Sequence, residues 1–195
     1  MNWKYVFNPF LKFSEKQMFL LSLVGLLGFG FFGSVFESPL ISIFKIANVE
    51  EVSILSSIFY ATLSYGSAIV MLVILGRFFN SKTRVVDIVN TVGISQLPLL
   101  FVMFTYNIPF FKNFNERISN SIDFSTRPHL EIGDIFTLSI FLVLVLPFLI
   151  YSIALIYNGF KIATNIKTWQ NISVFAGVLI LFLIIYQLTI LNLNL

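Results

Sequence analysis

The sequence has no cysteine and a single histidine, His129. Without thiols there is no disulfide framework, no thiolate metal site and no cysteine nucleophile. His129 stands in a connection beside Pro128, with no acidic cluster around it, which argues against a metal centre or a histidine-based catalytic group. An HExxH helix, a GxSxG elbow and a phosphate loop are all missing. The expectation is a protein without a cofactor or a metal, and not an enzyme.

Charge is scarce as well. Charged residues make up 11% of the chain, against about 25% in an average soluble domain. Hydrophobic residues make up 57% of the 195 residues, and the mean hydropathy is +0.92. A soluble fold of this size leaves much of its surface in water and could not hide so much apolar area in one core. Lipid removes that limit. The net charge of +3 and the isoelectric point near 9.2 do not imply nucleic acid. The basic residues sit at the ends of hydrophobic runs, where membrane topology would put them.

Five apolar runs are present, over 18–36, 54–76, 85–104, 135–157 and 172–191. About 20 such residues cross a bilayer core of roughly 30 Å as a helix. Hydrocarbon forces each segment to satisfy its own backbone, and the alternation of a barrel strand is missing. The predicted fold is all-α: one integral membrane bundle of about five transmembrane helices, spanning 1–195 as a single domain. Lys12 and Lys16 before the first run imitate a signal peptide. That run continues to Phe36 and no A-x-A-like site follows it, so it reads as a retained span.

Basic residues in the connections give the orientation. Lys4, Lys12, Lys16, Arg77, Lys82, Arg84, Lys161 and Lys167 fall on one side. Lys45, Lys112, Arg117 and Arg127 fall on the other, with most of the acids. This split puts the N-terminus in the cytoplasm and the C-terminus outside. In the longest connection, about 112–134, Phe111, Phe114, Ile118 and Ile122 recur at helical spacing with polar residues between them. They fit either a short interfacial helix, ended by Pro128, or an irregular loop packed on the bundle.

Three polar or small-residue patterns lie inside the runs. The first run contains Gly28, Gly30 and Gly33 in a literal GxGxxG. A dinucleotide site needs that motif between a strand and a helix, so among phenylalanines in lipid it reads as packing, with Gly30 and Ser34 as a small-xxx-small pair. In the second run, Ser53, Ser57, Ala61, Ser64 and Ala68 form one stripe that suits close helix contact, or else lines a polar pathway. The third run is the most polar. Asp87, Asn90, Thr91 and Pro98 share a helical face, with Ser95 at its margin.

An ionisable group in a membrane is costly and often functional. Asp87, however, is three residues past Arg84, and either pairing with Arg84 or the helix N-terminus could hold it at the interface. Pro98 and Pro147 should bend their helices. Trp169 and Tyr157 suit interfacial anchoring. Asn171-Ile172-Ser173 matches a glycosylation sequon on the cytoplasmic edge and reads as chance.

Gly93-Ile94-Ser95-Gln96-Leu97-Pro98-Leu99-Leu100, following a short basic loop, resembles the third span of the Yip1 domain family. Asn8-Pro9-Phe10-Leu11-Lys12-Phe13-Ser14 resembles the family's proline-containing approach to the first span. Tyr157-Asn158-Gly159-Phe160-Lys161 resembles its link from the fourth span to the fifth. The resemblance covers nearly the whole chain. It implies five spans, a cytoplasmic N-terminus and no established catalytic residue. Only about 16 residues precede the first span, which departs from the longer polar leader of eukaryotic members and suggests a compact prokaryotic form in the plasma (inner) membrane. The expected role is a non-enzymatic subunit in the lipid bilayer that binds a membrane protein partner, or its own copies, or organises the membrane through helix contacts. The alternative is a transporter or channel-like subunit that uses the polar third span.

Overall fold

The computed structural model describes residues 3–49, 51–121 and 132–192. The chain folds into a helical bundle. Its elements are α1 (Trp3–Phe7), a 3-10 turn (Pro9–Leu11), α2 (Glu15–Val35), a short hairpin of β1 (Leu40–Ser42) and β2 (Lys45–Ile46), α3 (Ile54–Phe79), α4 (Val85–Tyr106), α5 (Pro109–Ser121), α6 (Ile132–Thr164) and α7 (Trp169–Asn192). Five of them, α2, α3, α4, α6 and α7, are long and apolar enough to cross a membrane. The protein is a multi-pass membrane protein of the all-α class.

Local chemistry sets the helix limits. Ser14 caps α2: its hydroxyl accepts from the Gln17 amide, and the Gln17 side chain accepts from the Ser14 amide. This reciprocal box satisfies two otherwise unpaired donors and starts the helix at Glu15, ahead of the apolar run at Met18. Ser53 caps α3 through the Ser56 amide. At 33 residues, α6 is the longest helix, about 50 Å by its rise per residue. It outlasts the apolar run by three residues at its start and by seven at its end, where Asn158, Lys161 and Thr164 continue the helix.

Within the bundle, α4 packs on α6 and on α2, and α2 packs on α3. Glycines allow the α2–α3 approach. A methyl on Gly30 would meet Ile58, whose Cα is 3.4 Å away, and one on Gly33 would press on the Pro39 Cα at 3.1 Å. Across the same seam the Ser57 hydroxyl donates to the Phe29 carbonyl at 3.1 Å, and the Ser34 hydroxyl to the Val52 carbonyl at 2.7 Å.

Two connections are more ordered than the sequence pattern implied. The link from α2 to α3 folds inward as the β1–β2 hairpin and buries Leu40, Ile41 and Ile43 against α3. Phe44 takes a left-handed backbone, φ 68°, to turn it. In the longest connection, the helical spacing appears as α5, which begins at Pro109. Phe111 and Phe114 are buried, with Phe111 against Phe141 of α6, so the packed face of α5 covers the bundle. Ile122, Pro128 and His129 lie outside the described residues.

Candidate functional site in the polar interior of the bundle

Residues Asn90 to Gln96 of α4 are all buried, seven in succession. A helix enclosed on every side has no outer face. The polar residues that the sequence placed on one face of the third span therefore meet different neighbours. Asn90 faces α2 and donates from Nδ2 to the Glu15 carbonyl at 3.3 Å. Thr91 faces α6, where a methyl on Gly159 would clash with its side chain. Its hydroxyl is bound back to the Asp87 carbonyl at 2.7 Å. The Ser95 carbonyl accepts from the Ser152 hydroxyl of α6, and the Ser95 hydroxyl donates to Val92 at 2.8 Å within its own turn.

Asp87 is in the first turn of α4, half-buried, where the unpaired amides and the helix dipole favour a carboxylate. It does not pair with Arg84. The Arg84 guanidinium bridges instead to the Glu15 carboxylate of α2. An extended backbone at position 84 lets the side chain reach across to the neighbouring helix. Pro98 is buried further along α4 and has no amide to offer the Ile94 carbonyl one turn back.

Along α3, Ser57, Ala61, Ser64 and Ala68 are buried. Ser53 is not in that buried row, because it stands before the first turn as the exposed cap. The sequence reading passed over Gln96, Ser152 and Tyr65. Gln96 is fully enclosed, its amide nitrogen 3.1 Å from the Ser95 hydroxyl and its Oε1 without a hydrogen-bond partner. The Asn90 Oδ1, the Ser64 hydroxyl and the Tyr65 hydroxyl are unpartnered as well. Ser152 had no signal of its own, sitting alone among apolar neighbours. Gln96 had one: an amide near the middle of an apolar run is costly unless it faces protein.

No group of three or more histidine, cysteine or acidic residues is arranged to hold a metal among the described residues. The arrangement offers hydroxyls and amides for helix-to-helix hydrogen bonds.

At the basic end of the bundle the chain before α2 is folded back. The Tyr151 hydroxyl of α6 donates to the Val6 carbonyl at 2.7 Å, and Asn158 Nδ2 donates to the Phe7 carbonyl at 2.8 Å. The Phe7 ring stands edge-on to Tyr151, 5.7 Å between centroids. Trp169 is exposed at the start of α7, and the Lys161 ammonium lies over the Tyr157 ring at 5.6 Å.

No curated protein and no solved structure matches the chain. The Yip1 domain family model matches residues 13–191, from just before the cap of α2 to the last turn of α7. With that extent of match and five apolar spanning helices, the chain belongs to the Yip1 domain family.

Proposed function

We propose that this Yip1 domain protein is a non-enzymatic membrane subunit, folded as one domain across residues 1–195, that binds another membrane helix along the outer side of α3. The observation that carries the reading is a groove of about 880 Å³ between α3 and α7, lined by Phe59, Leu63, Gly66, Val70, Phe78 and Phe182 among others. Gly66 faces open space there, with no atom within 4 Å of where a side chain would start. Thr62 and Gly66 on that wall form a small-xxx-small pair of the kind that lets a second helix come close. The row Ser57, Ala61, Ser64 and Ala68 is already enclosed by the chain's own helices, so the outer wall of α3 is the free one. The partner is a membrane protein or a second copy. The eight-to-four division of basic residues supports a cytoplasmic N-terminus.

The test is purification of the tagged protein in mild detergent at native expression level, beside Gly66→Leu, with mass spectrometry of what accompanies each. A stoichiometric companion, or a second copy, is expected with the unaltered protein and is expected to fall several-fold with Gly66→Leu. A monomer with no companion would sink the reading.

The transporter alternative is favoured by one observation, the unpartnered Asn90 Oδ1 and Gln96 Oε1 inside the membrane bundle. Unsatisfied buried oxygens can mark a path for water or an ion. Solute flux in reconstituted vesicles that stops with Gln96→Leu would move the assignment there. Flux that persists with Asn90 and Gln96 both replaced would remove them from any such path.

A further inference from the structure

A second cavity lies on the opposite side of α4 from the groove's helices. It holds about 230 Å³ between α2, α4 and α6, and the folded-back chain before α2 forms its outer wall through Pro9 and Phe13. Its lining runs lengthwise. Phe13 and Met18 stand at the basic end, close to the Ser14 cap of α2. Pro98 and Phe101 stand at the other end, and Phe101 is about 24 Å along α4 from its first residue by helical rise. A slot that starts at the membrane boundary and ends past the middle of a roughly 30 Å core has the direction of a lipid chain. The walls are apolar, and Phe13, Leu21 and Phe101 at the rim are exposed to the lipid side.

A cation stands at the mouth. The Lys12 ammonium lies 5.8 Å from the Phe13 ring centroid and 5.8 Å from that of Tyr5. Lys16, two residues before Met18 on α2, lies about 200° around the helix from it and faces away from the slot. Lys12 has no carboxylate partner, since among the described residues the ion pair that is present joins Arg84 to Glu15. An apolar slot headed by an uncompensated positive charge complements one ligand class available at that depth: a phospholipid with an anionic headgroup.

We propose that this cavity is a specific site for one anionic phospholipid, with an acyl chain in the slot over Pro98 and the headgroup at Lys12. Tyr151 has two roles in it. Its ring lines the slot, and its hydroxyl holds the Val6 carbonyl so that the outer wall stays closed. The site is separate from the α3–α7 groove and does not depend on what binds there.

The test is native mass spectrometry of the detergent-purified chain, titrated with phosphatidylglycerol and phosphatidylcholine of identical chains. The unaltered protein is expected to retain one phosphatidylglycerol in preference to phosphatidylcholine, by roughly fivefold for the one lysine at the mouth. Lys12→Ala brings the two lipids to parity. Lys16→Ala, which removes as much charge from the same end but from the far side of α2, leaves the preference intact. Leu21→Trp, at the exposed rim, lowers retention of both lipids. Parity in the unaltered protein overturns the proposal, as does a preference that survives loss of Lys12. An equal loss in the Lys16 variant overturns it too, because it would mean surface charge alone.

Discussion

The helices α4 and α7 have similar lengths and opposite fates. Of the five spanning windows, that of α4 is the least apolar and the most enclosed, with 61% of its residues buried. The window of α7 is distinctly more apolar, and only 11% of it is buried. A soluble protein would reverse this order. In a bilayer the outside is hydrocarbon, so an all-apolar helix gains little by entering the protein, and hydroxyls and amides gain by leaving the lipid. Polar side chains and small residues then do in α4 what leucine does in a water-soluble core. Asn90, Thr91 and Gln96 mark the centre of this molecule, while Ile180, Leu181 and Ile184 mark its rim.

The largest expected break in that contrast comes from a glycine in each helix. Gly93 of α4 packs against Ser22 of α2 so closely that a methyl there would stand 3.1 Å from the Ser22 Cα, a backbone atom that no rotamer can move. Gly177 of α7 has nothing within 4 Å. Gly93→Leu should cost about 3 kcal/mol or more, the upper end of overpacking penalties. Gly177→Leu should cost nothing measurable. Thermal unfolding in detergent, read by near-ultraviolet circular dichroism, checks both. An unchanged Gly93→Leu would mean that α2 and α4 are not in contact as described.

A smaller effect separates hydroxyls that look alike in sequence. The Ser152 hydroxyl of α6 reaches the Ser95 carbonyl of the next helix, whereas the Thr189 hydroxyl of α7 returns to Ile185 in its own helix. Ser152→Ala should lose about 0.6 kcal/mol, the average for hydrogen bonds between membrane helices, and no more than about 1.7 kcal/mol, the largest such value. Thr189→Ala should stay within about 0.5 kcal/mol of the unaltered protein. Gln96→Leu, which removes an enclosed oxygen with no partner, should be neutral or stabilising by about 1 kcal/mol. The three variants belong in one denaturant series, and a cost for Gln96→Leu as large as that of Ser152→Ala would show that the amide has a partner.

The spanning helices were legible because about 20 apolar residues in lipid admit one solution. What each helix would face was legible only in part. Periodicity put Asp87, Asn90, Thr91 and Pro98 on one side of α4, and a single face is the correct inference when a helix has an outside. From residue 90 to 96 this one has none, and nothing local to the sequence says that α2 and α6 will close on it from both sides. Long-range partners were hidden for the same reason. Arg84 has Asp87 three residues away and takes Glu15, 69 residues distant. The chain before α2 reads as a leader, yet it folds onto α6 through the carbonyls of Val6 and Phe7, and backbone acceptors carry no sequence signature. The α2–α3 hairpin left a faint trace in Leu40, Ile41 and Ile43, three apolar residues in a stretch otherwise readable as a loop.

The smallest effect is expected where α4 leaves the protein interior. Arg84 and Glu15 join α4 to α2 across the surface, with side chains 60% and 44% exposed. Water screens such a pair, and exposed ion pairs contribute about 0.2–1 kcal/mol. Glu15→Gln should therefore lower stability by no more than about 0.5 kcal/mol, and the difference should vanish as salt is raised toward 1 M, where the screening length falls to about 3 Å. Nine residues along α4 from Arg84, about two and a half turns, Gly93→Leu acts from inside the same α2–α4 seam, and its penalty should not respond to salt at all. Denaturant midpoints for both variants at low and high salt measure the boundary between wet and dry portions of one helix pair. A salt-independent cost for Glu15→Gln would move that boundary outward and place Arg84 in the low-dielectric interior with Asn90.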